Sequence, residues 1–340
     1  MIFDVNQIIF IVLGTFIISG LLVPLIKKIA FWIGAVAKPN SRSVHKKKMP
    51  QLGGLSIFLS FLIGYMFFSK QLPEMNSILI GSFLLILTGI VDDIKPIKAR
   101  YKFIAQILAA IIVVFYGGLL LNSVSFFGFY LDFGFMSYPI TIFFIVGMIN
   151  IINLIDGLDG LAAGISSIYF LTVGIIAFIV GKSAGLDVFL TFVMLGSTLG
   201  FLVHNFYPAK IFMGDTGSMF LGFIISIIAL LGFKNVTLTS FLVPIFILGL
   251  PVLDTFLAII RRLKKKQSIA IADKEHLHHR LLKLKFSHRN TVLIMYLITF
   301  LLSVSSIIYI LKDFKLGIII YSSVFLIILS LILIVKVFKK

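Results

Sequence analysis

Apolar runs of about 20 residues recur along the whole of this 340-residue chain, each long enough to cross a hydrocarbon core ~30 Å thick as a helix. Backbone polar groups surrounded by lipid must be satisfied within the spanning structure, and uninterrupted runs of this length achieve that as α-helices. Sixty per cent of the residues are hydrophobic, the mean hydropathy is +1.14 and only 13% are charged. An ordinary soluble domain carries about 25% charged residues, so a soluble globular fold is excluded. Helices are expected at about 8–30, 52–69, 77–91, 103–121, 138–152, 160–181, 186–203, 217–233, 237–260, 291–311 and 315–336, eleven in all. The expected fold class is an all-α integral membrane protein, a single polytopic domain over residues 1–340. The first run reads as part of that fold and not as a cleaved leader, since Lys27 and Lys28 follow it and no small-residue cleavage pattern does. Residues Ser123–Ser137, with alternating aromatics and Asp132, read as a short extended excursion on the outer face.

Charge sets the orientation. Cytoplasmic loops carry the Lys/Arg excess. With the N-terminus outside and the C-terminus cytoplasmic, the inner segments are about 27–51 (the loop proper being 31–51), 92–102, 153–160, 204–216, 261–290 and the tail from 336. They hold all of the 30 Lys/Arg except Lys70, Lys182, Lys234, Lys312 and Lys315. The net charge of +17 is then an inner-leaflet feature that suits anionic lipid, and no nucleic-acid partner is needed to explain it. With no Cys in the chain, a disulfide framework and a Cys-ligated metal are both excluded.

The same assignment gathers His45, His204, His276, His278, His279 and His288 on the inner side. It places Asp92, Asp93, Asp156, Asp159, Asp215, Asp254, Asp273 and Glu275 there too. The positive-inside rule does not account for carboxylates and imidazoles, and ionisable groups at membrane depth are functional candidates. Asp92-Asp93 reads as a polar helix stop or as a carboxylate pair whose mutual repulsion calls for a cation. In Asn153-Leu-Ile-Asp156-Gly-Leu-Asp159-Gly160, helix capping accounts for one such side chain but poorly for all of them. Gly214-Asp215-Thr-Gly217-Ser218 opens a helix whose first N–H groups suit phosphate, and Asp215 adds an oxygen ligand for a hard cation.

The stretch Glu275-His276-Leu-His278-His279-Arg280 lies among Arg261, Arg262, Lys264, Lys265 and Lys266. A zinc site would require a closed tetrahedral ligand set; a cationic arm that binds anions fits at least as well. For the whole set the coherent ion is Mg²⁺, with Mn²⁺ as a substitute, held by carboxylate, amide and phosphate oxygens.

Together these motifs resemble the polyprenyl-phosphate N-acetylhexosamine-1-phosphate transferases. The carriers are Asp92-Asp93, Asn153 to Asp159-Gly-Leu-Ala, Ile211-Phe-Met-Gly-Asp215-Thr-Gly-Ser218 and His276-Leu-His-His-Arg280-Leu281. Lys38-Pro39-Asn-Ser-Arg42-Ser-Val-His45 and Pro50-Gln-Leu-Gly53-Gly54 fit as well, so the match runs from about residue 35 to 285. The resemblance implies that a polyprenyl phosphate, undecaprenyl phosphate in bacteria, attacks the β-phosphate of a UDP-sugar, giving polyprenyl-diphospho-sugar and UMP. The site would lie at the inner face of the bacterial cytoplasmic membrane, and a membrane-buried homodimer is the family's behaviour.

The implied roles are specific. Asp215 and Asn153 hold Mg²⁺, and Lys102, His278 and Arg280 contact the pyrophosphate, with His276 and His279 in the same arm. Asp156 and Asp159 face the nucleoside and Phe212 stacks on uracil. Asp92 and Asp93 position or deprotonate the lipid phosphate, and the four aspartates Asp92, Asp93, Asp156 and Asp159 form the catalytic set. Direct attack and an aspartyl-phosphate intermediate both remain compatible. The arm reads His276-Leu277-His278-His279-Arg280, not the Pro-Leu and three histidines of phospho-MurNAc-pentapeptide transferases, and so favours UDP-N-acetylglucosamine. The alternatives are the MurNAc-pentapeptide reaction itself and a transporter for an anionic solute, which would place its acids at the bilayer midplane.

Overall fold

The computed structural model describes residues 3–37, 48–68, 73–126, 129–181, 184–233, 247–266, 276–311 and 314–337. Its helices are α1 (Val5–Ile33), α2 (Gly54–Phe68), α3 (Pro73–Ile94), α4 (Ala99–Ile111), α5 (Ser137–Ile155), α6 (Leu161–Ile179) and α7 (Leu186–Asn205). They continue with α8 (Gly214–Phe233), α9 (Gly249–Lys264), α10 (Leu277–Lys283), α11 (His288–Ile310) and α12 (Phe314–Val337). Among the described residues, eight helices are long and apolar enough to cross a membrane: α1, α3, α4 with its continuation to Tyr116, α5, α6, α7, α8 and α11. The chain is therefore a multi-pass, mostly helical membrane protein. The helix expected over 237–260 falls in part on residues 234–246, outside the described ones; its remainder is α9.

Two other boundaries move for physical reasons. The helix expected to run from 103 to 121 begins at Ala99, widens into a π-turn over Ile112–Tyr116 and stops at Gly117. The expected loop 261–290 is partly helical, since Arg261–Lys264 complete α9 and Leu277–Lys283 form α10. Three basic side chains in the last turn of α9 suit the negative end of the helix dipole. The expected extended excursion is a β-hairpin of β1 (Ser123–Phe126) and β2 (Phe129–Asp132), with Ser123 opposite Asp132.

Burial orders the bundle. Of the strongest apolar window in each helix, 89% is buried in α8 and 78% in α7, against 28% in α1. α8 is thus the axial helix, with α3 and α5 packed along it, while α1 lies on the periphery against α7. α1 turns Phe10, Leu13, Ile17, Leu21 and Leu25 outward, a face fit for lipid. Lipid supplies no hydrophobic drive between helices, so close packing requires small residues and polar contacts. Gly196 and Gly200 of α7 meet that need. A methyl group at Gly200 would lie 2.9 Å from Ser19 Cβ and nearer still to the Phe16 carbonyl of α1. Beside them Ser197 Oγ donates to Ser60 Oγ (3.0 Å), and Ser60 Oγ donates to the Thr15 carbonyl (2.7 Å), tying α7, α2 and α1 together. Gly200→Leu is expected to destabilise the bundle by about 1–3 kcal/mol, read as a fall of several degrees in thermal midpoint in detergent. An unchanged midpoint would mean that α1 is not seated against α7 in this way.

Candidate active site

The N-terminus of α8 is fixed by three backbone bonds from a distant loop. Phe212 N–H donates to the Pro50 carbonyl (2.8 Å), while Gly53 and Gly54 N–H donate to the Phe212 and Met213 carbonyls (2.9 and 2.8 Å). Gly54 of α2 lies directly on Gly217, and Gly89 of α3 directly on Thr216, so neither position has room for a side chain. Gly214 has φ +73°, the left-handed region that glycine occupies without cost. The segments Pro50–Gly54 and Ile211–Ser218, distant in sequence, therefore form one rigid turn.

Asp93 completes that turn. Its Oδ1 accepts from Asp215 N–H (2.9 Å), and its Oδ2 accepts from Thr216 N–H (3.2 Å) and Thr216 Oγ1 (2.6 Å). It thus caps α8 across the bundle, a service normally performed by a residue of the same chain segment. Asp92, one residue earlier, accepts from Ile97 N–H (2.9 Å) through Oδ1 and from the Lys102 ammonium (3.3 Å) through Oδ2. Lys102 also donates to Asp215 Oδ2 at 2.8 Å. Ligand oxygens of Asp92, Asp93 and Asp215 lie within 4.8 Å of one another. Hard, closely spaced oxygens of this kind could hold a metal ion, and the Lys102 ammonium bridges two of them. Asn153 donates Nδ2–H to Ser218 Oγ (2.8 Å).

The turn between α5 and α6 forms the opposite wall. Asp159 Oδ2 accepts from Ala209 N–H (2.9 Å), and Asp159 N–H donates to His288 Nε2 (2.9 Å). Gly160 N–H donates to Asn205 Oδ1 (3.0 Å), while Asn205 Nδ2 donates to the Ile211 carbonyl (2.9 Å). This carboxylate and this amide therefore lock the α5–α6 turn to the loop that leads into α8. Asp156 has a different setting: burial, then the carboxylates of Asp215, Asp93 and Asp159, push its pKa up to about 8.

These walls enclose a cavity of about 420 Å³. Of the residues singled out in the sequence, Asp92, Asp93, Asn153, Asp156, Asp159, Phe212, Asp215 and His279 line it. Lys102 reaches it through its bonds to Asp92 and Asp215. His276, His278 and Arg280 are not among the lining residues. His276 and His278 are buried, 4% and 1% exposed. Burial, then the neighbouring His279, pushes the His278 pKa down to about 3, so this ring is neutral. Its Nε2 rests on Gly157, where a methyl group would come within 2.7 Å. Glu275 and the early residues Lys38, Pro39, Arg42 and His45 lie outside the described residues.

Sequence reasoning passed over Gln51, Asn205 and His288 as lining residues. His288 stacks on Tyr207 with ring centroids 4.8 Å apart. Its only signal in the sequence was membership of the inner histidine set.

The family model for glycosyl transferase family 4 matches residues 75–233, the stretch holding Asp92, Asp93, Asn153, Asp156, Asp159 and Asp215. A probable undecaprenyl-phosphate N-acetylglucosaminyl 1-phosphate transferase of Bacillus subtilis is 46% identical over 301 residues, covering 86% of this chain and 83% of the relative. The chain belongs to the polyprenyl-phosphate N-acetylhexosamine-1-phosphate transferase family. A decaprenyl-phosphate N-acetylglucosaminephosphotransferase of Mycobacterium tuberculosis is 33% identical, with 80% and 75% of the two chains covered. An undecaprenyl-phosphate alpha-N-acetylglucosaminyl 1-phosphate transferase of Salmonella typhi is 29% identical, with 82% and 77% covered. The chain is thus a glycosyl-1-phosphate transferase, and the residues of its acidic cluster have unequal settings. Asp92 and Asp215 share the Lys102 ammonium, whereas Asp93 accepts from the Asp215 and Thr216 amides and the Thr216 hydroxyl, and Asp159 accepts from the Ala209 amide.

Proposed function

We propose that this chain transfers N-acetylglucosamine-1-phosphate from UDP-N-acetylglucosamine to undecaprenyl phosphate, releasing UMP. The reaction would take place at the inner face of a bacterial cytoplasmic membrane, with the N-terminus outside, the C-terminus inside and the whole chain acting as one polytopic unit. The observation that carries the reading is the Lys102 ammonium held between Asp92 and Asp215, at the edge of a cavity that also presents Asn153, Asp156 and His279. Phosphoryl transfer asks a protein mainly for positioning and charge neutralisation, and this arrangement supplies both. The relatives' names, which specify N-acetylglucosamine and a polyprenyl phosphate, support the choice of substrates.

In the proposed reaction an oxygen of the lipid phosphate forms a bond to the β-phosphorus of the donor. The bond from that phosphorus to the bridging oxygen breaks, and UMP leaves with the electron pair. A phosphate monoester with a second pKa near ~6 is already largely ionised at neutral pH, so no strong base is required of Asp92. Asp92, Asp215 and Asn153 are the residues to hold Mg²⁺, with Asp93 keeping Asp215 in place. When bound, the ion neutralises the donor's diphosphate. Lys102 brings a second positive charge to the same phosphates. Phe212, His279 and His288 shape the wall against which the nucleoside lies.

The raised pKa of Asp156 gives this reading a pH signature. Below about pH 8 its carboxyl holds a proton, and a divalent cation nearby favours the charged form, so metal binding expels that proton. Mn²⁺ affinity is expected to rise several-fold from pH 6.5 to 8.5 in the wild type and to rise less in Asp156→Asn. Identical slopes in the two proteins would separate Asp156 from the metal site. Sugar-labelled UDP-N-acetylglucosamine tests the function itself. With Mg²⁺, undecaprenyl phosphate and purified protein, the label is expected to move into the organic phase as the diphospholipid. Label that stays aqueous would refute the assignment.

A further inference from the structure

Asp254 is a carboxylate on an otherwise apolar stretch of α9, Gly249-Leu-Pro-Val-Leu-Asp254-Thr-Phe-Leu-Ala258, and is only 6% exposed. An ionised group buried in such a setting persists only where its oxygens are well satisfied. Both oxygens of Asp254 are turned to the start of α10. Oδ1 accepts from Leu277 N–H at 2.9 Å, and Oδ2 lies 2.9 Å from His276 Nδ1. A carboxylate only accepts, so that ring nitrogen carries the proton. His276 makes no capping bond of its own, and the acceptor for the first amide of α10 therefore comes from another helix.

Contact continues from this anchor to the cavity. The His276 and His278 rings are stacked, 5.7 Å apart and 4° from parallel, and the His278 and His279 rings are 4.2 Å apart. His278 rests on Gly157, in the turn that carries Asp156 and Asp159. His279 and Leu282, three residues apart on one face of α10, line the cavity. Fixing the beginning of a helix this short fixes its rotation and depth, and hence where His279 stands.

We propose that Asp254 is a positioning residue for the transfer reaction. Through His276 and the Leu277 amide it holds α10 in the register that presents His279 to the donor. This rests on the reading that the α10 arm serves the nucleotide sugar. Asp254 touches no substrate, and His276 acts as its partner and not as a ligand-binding side chain. The histidine-rich arm thus divides into a buried anchor (His276), a spacer (His278) and a presented group (His279).

The test compares wild type, Asp254→Asn, His276→Gln and the double variant by UMP release, varying UDP-N-acetylglucosamine and undecaprenyl phosphate separately. Asp254→Asn keeps the shape of the side chain but faces His276 Nδ1–H with an amide. His276→Gln leaves the bond to the Leu277 amide intact. Each single variant is expected to raise the donor KM about ten-fold while leaving the lipid KM within two-fold. The double variant should be no worse than the poorer single, because residues acting as one unit are not additive. General loosening of the fold would move both KM values together. Equal rises in the two KM values, an unshifted donor KM or additive losses would each overturn the proposal. Absence of wild-type turnover would overturn the functional reading and this inference together. Normal wild-type turnover with an unshifted donor KM removes the Asp254 assignment alone.

Discussion

Asp215→Ala is expected to lower turnover by at least about 10³-fold while leaving the protein folded and inserted. The magnitude follows from removing a group that neutralises or positions charge in a phosphoryl transfer, where single contacts are worth about 10²–10³ and a lost metal ligand costs more. The fold should survive for a reason visible in the geometry. Asp215 holds its place in α8 through its backbone N–H, which Asp93 accepts, and its side chain is 25% exposed. Gly54 and Gly89 pack on Gly217 and Thr216, so the start of the helix does not depend on the missing carboxylate. Turnover by the alanine variant within a few-fold of wild type, with an unchanged thermal midpoint, would remove Asp215 from the metal site.

Lys102→Met should separate metal binding from catalysis. The ammonium now lies 2.8 Å from Asp215 and 3.3 Å from Asp92, where a divalent cation must compete with it for the same oxygens. Without it, two carboxylates face each other uncompensated, and Mn²⁺ binding to the substrate-free protein is expected to tighten. Turnover should nevertheless fall by about 10²-fold or more, because a positive charge aimed at the donor phosphates is lost. Mn²⁺ titration followed by electron paramagnetic resonance reads the first effect and UMP release the second. Weaker metal binding together with weaker turnover would make Lys102 an organiser of the cluster and not a competitor within it.

The architecture was legible because lipid imposes a simple rule, and runs of about 20 apolar residues obey it. α1, α6 and α7 lie within a few residues of their expected bounds, and the alternating aromatics of 123–132 became a hairpin. The cavity-lining acids were legible too, since carboxylates at helix ends stand out against a background with so little charge. The division of labour among them was hidden. Asp92 and Asp93 are neighbours in sequence, but the partners of Asp93 lie 122 and 123 residues away, and no local pattern announces a cap supplied by another helix. The same holds for Asp254, whose partners are His276 and Leu277. The partner of the stripe Gly196-x-x-x-Gly200 is α1, far away in sequence, and no local pattern announces it. His288 stood in no motif, and only the fold brings it beneath Asp159.

The central claim is that this cavity transfers N-acetylglucosamine-1-phosphate with a divalent cation. The most direct measurement is UMP release by detergent-purified protein with Mg²⁺ and undecaprenyl phosphate. UDP-N-acetylglucosamine and UDP-MurNAc-pentapeptide would be compared side by side, each with and without EDTA. Release from UDP-N-acetylglucosamine alone, abolished by EDTA, is the predicted result. Release from the pentapeptide donor alone, or release that EDTA leaves untouched, would contradict it.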